Sequence, residues 1–265
     1  LDIAFNNFGS EAYILDVQDA VVQVSLDAIP THTFSEVATT DFGNLTLAGR
    51  YPASLSLVAT ATDFSIEEYA DLEANDSVFT VIGDFTNNGT LQASTSEFVF
   101  AGETAQIATG TSLGTSAFND LTISNTSGNG STTFSVVFGN DVTASGTMTM
   151  LASTSAQFAA SSTATFENVD WQGSGDAPVY LRSTENGTEW FLDVPGSQIN
   201  VDFVDVSDSN ATSTSGGVIA TNSTDSGNNT NWNFGGEAPA GPQPWNATDW
   251  TDYDTITIDA ANIDE

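Results

Sequence analysis

The 265-residue chain contains no cysteine and no lysine, and Arg50 and Arg182 are its two basic residues. Without cysteine the chain cannot form disulfides, thiolate metal sites or cysteine nucleophiles. Without lysine it cannot use a Schiff-base lysine or form a Lys–Asn isopeptide crosslink. Its one histidine, His32, excludes metal sites built from several histidines of this chain.

Positive charge is almost absent, whereas 35 residues are Asp or Glu, and the formal net charge is −33. Nucleic acids and anionic membranes attract proteins through basic patches, so neither is an expected partner. The sequence also has no apolar run of about eighteen residues, and it therefore predicts no membrane span.

The composition favours an all-β protein. Hydrophobic residues make up 39% of the chain and include 17 Phe, which is enough to build a core. Apolar and polar residues alternate in segments such as residues 1–5 and 22–26, and such alternation is typical of half-buried strands. One helix is predicted over residues 64–74, because Asp63 could cap it and Glu67 and Glu68 would lie in its first turn.

From residue 79 onward the sequence repeats itself. Residues 83–91 resemble residues 140–148, residues 93–98 resemble 152–158, and residues 117–123 resemble 165–171. Residues 199–206 repeat the pattern of 117–123 and 165–171. Each unit reads as a strand, a turn rich in Gly, Asn and Ser, and another strand. One such unit cannot bury its own apolar face, so we expect the units to stack.

Stacked short strands predict β-solenoid-like repeats, although a β-sandwich would show similar alternation. The predicted organisation is an N-terminal β domain over residues 1–78 and a solenoid-like repeat domain over 79–235. Residues 236–265 would then form a Pro- and Gly-rich linker and a C-terminal strand.

The repeats resemble those of very large secreted prokaryotic surface and adhesin-type proteins. The resemblance is carried by Gly-Asp-Phe-Thr-Asn-Asn-Gly-Thr-Leu at 83–91, Phe-Asn-Asp-Leu-Thr-Ile-Ser-Asn at 118–125 and Asn-Asp-Val-Thr-Ala-Ser-Gly-Thr-Met-Thr-Met at 140–150. Residues 205–210 and 221–232 are similar to the closing coils of such arrays. The resemblance implies a β-helical extracellular scaffold, and it carries no catalytic residues over to this chain.

The two terminal strands are the predicted assembly elements. Residues 253–259 are predicted to form an amphipathic strand after the linker. The residues Trp250, Tyr253, Ile256, Ile258 and Ile263 resemble the opening strand of a secreted module often found beside such repeats. An isolated strand leaves its backbone groups unpaired, so it must fold back on its own chain or add to a sheet edge of another copy. The residues assigned to this exchangeable pairing are Leu1, Ile3, Phe5, Tyr253, Ile256 and Ile258.

Two kinds of modification or ligand site are suggested by the polar residues. The Asn-X-Ser/Thr pattern marks ten candidate N-glycosylation sites, which are Asn44, Asn75, Asn88, Asn125, Asn129, Asn186, Asn210, Asn222, Asn228 and Asn246. Calcium is the one cofactor considered, with Asp205, Asp208 and Asp225 as candidate ligands. The ordered Asp-X-Asp-X-Asp-Gly calcium loop is absent from the sequence.

Enzymatic chemistry finds little support in the sequence. His32 has no Gly-X-Ser-X-Gly nucleophile motif beside it, and adjacent Glu67 and Glu68 would point in different directions on a helix. The five Trp residues, all between 171 and 250, could form a sugar-binding face, but packing of Trp171, Trp190 and Trp232 in the core is the favoured interpretation.

We therefore expect a non-enzymatic structural subunit, located outside the cell or at its surface. It would assemble with itself non-covalently into a filament, sheath or surface layer by strand addition between subunits. The alternative is a stalk or carbohydrate-binding segment of a large cell-surface adhesin, with glycans as partners.

Overall fold

The computed structural model describes residues 2–4, 22–26, 32–35, 40–49, 52–115 and 118–235. Within these residues the chain forms strands and contains no helix. The prediction of an all-β fold is therefore confirmed.

The strands are short and number twenty-seven in the described ranges. The first nine are β1 (Asp2–Ala4), β2 (Val22–Leu26), β3 (His32–Ser35), β4 (Thr40–Phe42), β5 (Leu45–Gly49), β6 (Pro52–Ser56), β7 (Val58–Ala61), β8 (Phe64–Ile66) and β9 (Asp71–Glu73). The next nine are β10 (Val78–Val81), β11 (Phe85–Asn87), β12 (Thr90–Gln92), β13 (Glu97–Phe100), β14 (Gln106–Thr109), β15 (Asp120–Ile123), β16 (Val136–Phe138), β17 (Val142–Met150) and β18 (Ser155–Phe158). The last nine are β19 (Thr163–Gln172), β20 (Val179–Ser183), β21 (Trp190–Asp193), β22 (Ser197–Asp202), β23 (Val204–Val206), β24 (Ser209–Asn210), β25 (Val218–Ile219), β26 (Thr224–Asp225) and β27 (Trp232–Asn233).

These strands stack into long parallel sheets. The first sheet has eleven strands in the order β1-β2-β5-β8-β11-β14-β16-β18-β20-β23-β26. The second sheet has the order β24-β21-β19-β17-β15-β13-β10-β7-β4, with β22 also paired to β19. A third sheet has the order β12-β9-β6-β3, and β25 pairs with β27.

From β5 to β13 each turn of the chain visits the same three sheets, and from β14 to β24 the chain runs between the first and second sheets, which makes the fold a β-solenoid. Strands β8, β9 and β10 belong to the first, third and second sheets, and β11, β12 and β13 repeat this order one turn later. Phe64 accordingly pairs in register with Phe85, and Val58 with Val78. Eleven strands separated by about 4.8 Å give a stack roughly 48 Å long. The solenoid interpretation is confirmed, and the strands do not form the antiparallel sheets of a sandwich.

A row of aromatic rings in contact with one another runs through the interior of the solenoid. Alternation along each strand turns one side chain inward and the next outward, as in β10, where Phe79 and Val81 are buried. The ring of Phe98 lies 4.9 Å from that of Phe79 and 5.1 Å from that of Phe118, measured between centroids. Farther along the stack, the Phe158 ring lies 4.1 Å from Trp190. Successive turns are thus held by contacts between rings as well as by backbone pairing.

Polar side chains satisfy backbone groups where the second sheet leads into the first. The Oδ1 atom of Asn44 accepts a hydrogen bond from the Asp63 N–H at 3.4 Å. Asp63 Oδ1 accepts from the Asp84 N–H at 2.9 Å, and Asp84 Oδ1 accepts from the Ile107 N–H at 2.7 Å. Each of these side chains therefore binds the backbone of the following turn. The Asp63 and Asp84 N–H groups lie at corners, and the Ile107 N–H lies in β14 beside Ala108, where pairing with β11 begins.

The predicted helix over residues 64–74 is wrong. This segment contains strands β8 and β9, and Phe64, Ile66 and Leu72 point into the core at the alternating spacing of strands. The intervening corner includes Tyr69, which has a φ of 71° and is 66% exposed. A hydrogen bond and the charge of Glu68 raise the pKa of the Tyr69 hydroxyl. Pairing with the turns on both sides outweighs the weak helical pattern.

The described sheets continue across the predicted boundary between the N-terminal and repeat domains. Residues 78 and 79 both belong to β10, which pairs with β7 on one side and β13 on the other. The predicted linker and C-terminal strand, residues 236–265, lie outside the described residues.

Replacing a ring in the middle of the core should destabilise the whole stack. Phe98 is fully buried, so Phe98→Ala is expected to lower the free energy of unfolding by about 3–5 kcal/mol in chemical denaturation. Phe191→Ala is the matched control, because this ring is 38% exposed, and its cost should stay below about 1 kcal/mol. Equal losses for the two variants would contradict the assignment of Phe98 to the core.

Candidate functional site

A groove on the outer face of the first sheet is the candidate site, because its lining combines two aromatic rings with charged and amide side chains. Its floor is formed by strands β18, β20 and β23, and its walls are the loops 124–135 and 184–189. The cavity has a volume of about 510 Å³. We call it the Arg182 groove, and its principal lining side chains are Phe134, Gln157, Tyr180, Arg182, Asn186 and Asp205.

Arg182 is held in one position by several contacts on the floor. Its Nη2 atom forms an ion pair with Asp205 Oδ1 at 2.8 Å, and its Nη1 atom donates to the backbone oxygens of Asp205 and Leu181 at 2.6 and 3.0 Å. The guanidinium carbon lies 5.5 Å from the centre of the Tyr180 ring. These contacts leave the Nε–H and one Nη2–H as donors for a ligand.

The loop 124–135 forms a rigid wall because its own side chains satisfy its backbone. Asn129 Oδ1 accepts hydrogen bonds from the N–H groups of Ser131, Thr132 and Thr133 at 2.9, 2.9 and 3.2 Å. Gly130 has a φ of 68° and packs so closely on the Tyr180 ring that an added Cβ atom would overlap it. The loop therefore reaches from the turn containing β16 to the strand β20, two positions along the first sheet.

Asn125 anchors the same loop in the solenoid. It is 1% exposed, and its Nδ2 atom donates to Thr104 O at 2.7 Å, Gln106 Oε1 at 3.0 Å and Ser135 O at 3.2 Å. Its Oδ1 atom accepts from the Ser127 N–H at 2.8 Å. A buried amide with this many partners fixes the start of the loop.

The three candidate calcium ligands lie near the C-terminal end of the described solenoid, and each is bonded to protein donors. Asp205 binds Arg182, Asp208 Oδ1 accepts from Gly187 N–H and Asn228 Nδ2, and Asp225 Oδ1 accepts from Gly227 N–H and Asn229 Nδ2. Across the described ranges, no three His, Asp or Glu side chains converge as a possible metal site. Calcium binding stays a prediction that these contacts do not support.

The candidate glycosylation sites differ sharply in accessibility. Asn125 is buried, and the Nδ2 atom of Asn75 donates to Ser54 Oγ and to the backbone oxygens of Leu55 and Glu73. The Nδ2 atoms of four further candidates also donate hydrogen bonds, namely Asn129, Asn210, Asn222 and Asn228. Asn186 is exposed at the rim of the Arg182 groove, while Asn44 and Asn88 are partly exposed. Asn246 lies outside the described residues.

The predicted assembly residues are described only in part. Ile3 belongs to β1, which pairs with β2 at one end of the first sheet. The other five, Leu1, Phe5, Tyr253, Ile256 and Ile258, lie outside the described residues.

The tryptophans do not form an exposed sugar-binding face in the described residues. Trp171 and Trp190 are completely buried, as the core interpretation predicts. Trp232 is partly buried, stacks on Trp171 at 6.4 Å between ring centroids and donates from Nε1 to Ser209 Oγ at 3.0 Å. Trp245 and Trp250 lie outside the described residues.

The residues considered for catalysis are not brought into the groove. His32 lies in β3 of the third sheet, and Glu67 and Glu68 are exposed at the corner between β8 and β9. The sequence patterns did not identify Phe134, Tyr180 and Arg182 as residues of a binding site. Arg182 could have been singled out from the sequence, since it is one of only two basic residues in an acidic chain.

Comparison with known proteins adds no assignment, because no family model, curated protein or solved structure matches this chain. The described part of the chain contains no helix of the length and hydropathy needed to cross a membrane.

The close contact between Gly130 and Tyr180 can be tested with two glycine substitutions. Gly130→Ala and Gly187→Ala both place alanine at positive φ, which costs about 1–2 kcal/mol. A Cβ atom added at Gly187 would have open space around it, whereas one added at Gly130 would overlap the Tyr180 ring, so Gly130→Ala should lower the free energy of unfolding clearly more. Denaturant titration of both variants measures this difference. Equal destabilisation would show that the loop does not pack on Tyr180.

Proposed function

We propose that this chain is an extracellular structural subunit that assembles with itself, without covalent links, into a filament, sheath or surface layer. The observation that carries the proposal is the parallel first sheet of eleven strands. In its described part the end strands, β1 and β26, are each paired on one side only. Parallel ladders of this kind can be extended by strands of another copy.

The C-terminal edge offers backbone groups that point along the solenoid axis. Strand β26 pairs with β23, and the Ser226 N–H donates to Val206 O at 2.8 Å on that side. Neighbouring residues of a parallel strand direct their backbone groups to opposite sides, so the Asp225 N–H points away from β23. Among the described residues, β26 has no second strand beside it.

The N-terminal edge of the first sheet is the strand to which the C-terminal edge of another copy could add. Strand β1 pairs through Asp2, Ile3 and Ala4 with β2, and it ends the first sheet on the opposite side. Contact between the C-terminal edge of one copy and the N-terminal edge of the next is a head-to-tail contact, which repeats into a filament.

The composition supports an assembly that is non-covalent and sensitive to salt. The chain has no lysine for an isopeptide crosslink and carries a formal charge of −33. Like charges on adjacent copies repel each other, and salt shortens the range of that repulsion to about 8 Å at 0.15 M ionic strength. Assembly experiments therefore belong at this ionic strength or above.

A proline at the exposed edge should block strand addition. Asp225→Pro removes the N–H that would donate to the next copy, and we expect it to abolish filaments in negative-stain electron microscopy. Asp225→Ala is the matched control, because it removes the same carboxylate but keeps the N–H, and it should still assemble. Filaments formed by Asp225→Pro with normal frequency would contradict assembly through β26.

Deletion of residues 245–265 tests whether the predicted C-terminal strand takes part in this assembly. The expected product is a soluble monomer that keeps the far-ultraviolet circular dichroism of β structure. Persistence of polymers after this deletion would refute a role for Tyr253, Ile256 and Ile258.

A stalk within a larger surface protein is the second candidate function. It is favoured by the length of the continuous first sheet, roughly 48 Å, which makes the solenoid a spacer. The two functions differ in one observable property, since a stalk segment stays monomeric at concentrations at which a filament subunit polymerises.

Glycosylation is part of the proposed extracellular role, and the geometry selects among its sites. In a secretory host with N-glycosylation, we expect glycan on Asn186 and none on Asn125, because transfer requires an accessible Nδ2 atom. Glycopeptide mass spectrometry measures the occupancy of both sites. Asn186→Gln should remove one glycan, and an occupied Asn125 in folded protein would contradict the prediction.

A further inference from the structure

We propose that the Arg182 groove binds a neutral oligosaccharide. This function is distinct from assembly, since the groove opens on the side of the solenoid, while its last floor strand β23 is the neighbour of the edge strand β26. The volume of about 510 Å³ falls in the range of about 300–1,000 Å³ that is usual for small-molecule sites.

The side chains of the groove suit a ligand that is both hydroxylated and partly apolar. Phe134 and Tyr180 are half-buried rings in the lining. Gly130 and the Arg182 guanidinium already contact the Tyr180 ring, so we assign to Phe134 the main apolar surface for the C–H groups of a sugar ring. Gln157 and Asn186 carry amide groups that can both donate and accept hydrogen bonds. Arg182 adds two N–H donors that its contacts within the protein leave unused. Sugar hydroxyls need this mixture of donors and acceptors.

Charge favours a neutral ligand over an acidic one. The Arg182 guanidinium is paired with Asp205, and Asp208 adds a second carboxylate to the lining, so the groove has no excess of positive charge. The chain as a whole carries a charge of −33 and repels polyanions at long range. Acidic polysaccharides are therefore disfavoured.

The groove is already ordered, so binding does not require a loop to fold. Asn129 and Asn125 hold the wall, Gln157 Nε2 donates to Ser183 O at 2.9 Å, and Arg182 is fixed by three hydrogen bonds. A site in which side chains are held before binding loses less entropy when the ligand arrives.

A second surface groove in the described part of the chain has a different character. It has a volume of about 410 Å³ and is lined mainly by Gly, Ala, Ser and Thr, together with Asn140 and Asp141. Its lining contains no aromatic ring, and the Asn140 and Asp141 Oδ1 atoms accept hydrogen bonds from Thr109 Oγ1 and the Thr163 N–H. It therefore lacks the combination that points to a sugar in the Arg182 groove.

The proposal is tested by isothermal titration calorimetry of the full chain. The probes are the neutral hexasaccharides cellohexaose, maltohexaose and mannohexaose, with hexagalacturonate as the acidic comparator. We expect saturable binding of at least one neutral probe and at least about tenfold weaker binding of hexagalacturonate. Absence of binding by all three neutral probes, or equal binding of the acidic probe, would overturn the proposal.

Two substitutions locate the binding to the groove. Tyr180→Ser and Phe134→Ser should each weaken binding of the neutral probe about tenfold, because each removes a ring from the lining. Phe134 lies in a loop outside the strands, so this variant tests the site even if Tyr180→Ser unfolds. Tyr69→Ser is the matched control, because this tyrosine is exposed at a corner outside the groove. The Tyr69→Ser variant should bind the neutral probe with unchanged affinity. Full affinity in the folded Phe134→Ser variant would place the ligand elsewhere.

Discussion

The backbone hydrogen bonds between successive turns are the constraint on which this fold depends. A single turn of three short strands buries almost nothing by itself, and it becomes stable when the turns on both sides pair with its backbone. Strand β11, for example, pairs with β8 below and β14 above. The same requirement aligns the rings of Phe79 and Phe98 on adjacent turns, so that pairing and core packing support each other. Within the described residues, it also leaves the end strands β1 and β26 of the first sheet with one paired side each.

Because pairing involves the strands, the corners are free to vary in length. Short corners are tied to the next turn by Asp63 and Asp84, whereas the loop 124–135 is inserted between β15 and β16 without disturbing either sheet. That loop forms a wall of the groove on the outer face. The solenoid therefore separates two roles in space: its ends carry the proposed assembly contacts, and its side carries the proposed ligand site.

The repeats in the sequence identify strand-turn-strand units, but they do not give the position of each unit around the solenoid. Phe118 and Phe166 occupy equivalent places, since both align with Ala144 in the second sheet. By contrast, Phe85 lies in the first sheet and its sequence counterpart Val142 in the second. Phe98 and Phe158 differ in the same way. Similar units can occupy different faces because every face has the same alternation of inward and outward residues.

The sequence alone determined the all-β class, the stacking of repeat units and the exclusion of lysine and cysteine chemistry, since these follow from composition and period-two alternation. It also indicated a core position for Trp171 and Trp190. Tertiary structure decided that residues 64–74 form strands, that Asn125 is buried while Asn186 is exposed, and that Tyr180 and Arg182 share a groove with Phe134. The physical reason is that these outcomes depend on contacts between turns some twenty or more residues apart, as in the pairing of Phe64 with Phe85. Local patterns specify how a strand is built, and only the stacked neighbour specifies what its outward side chains meet.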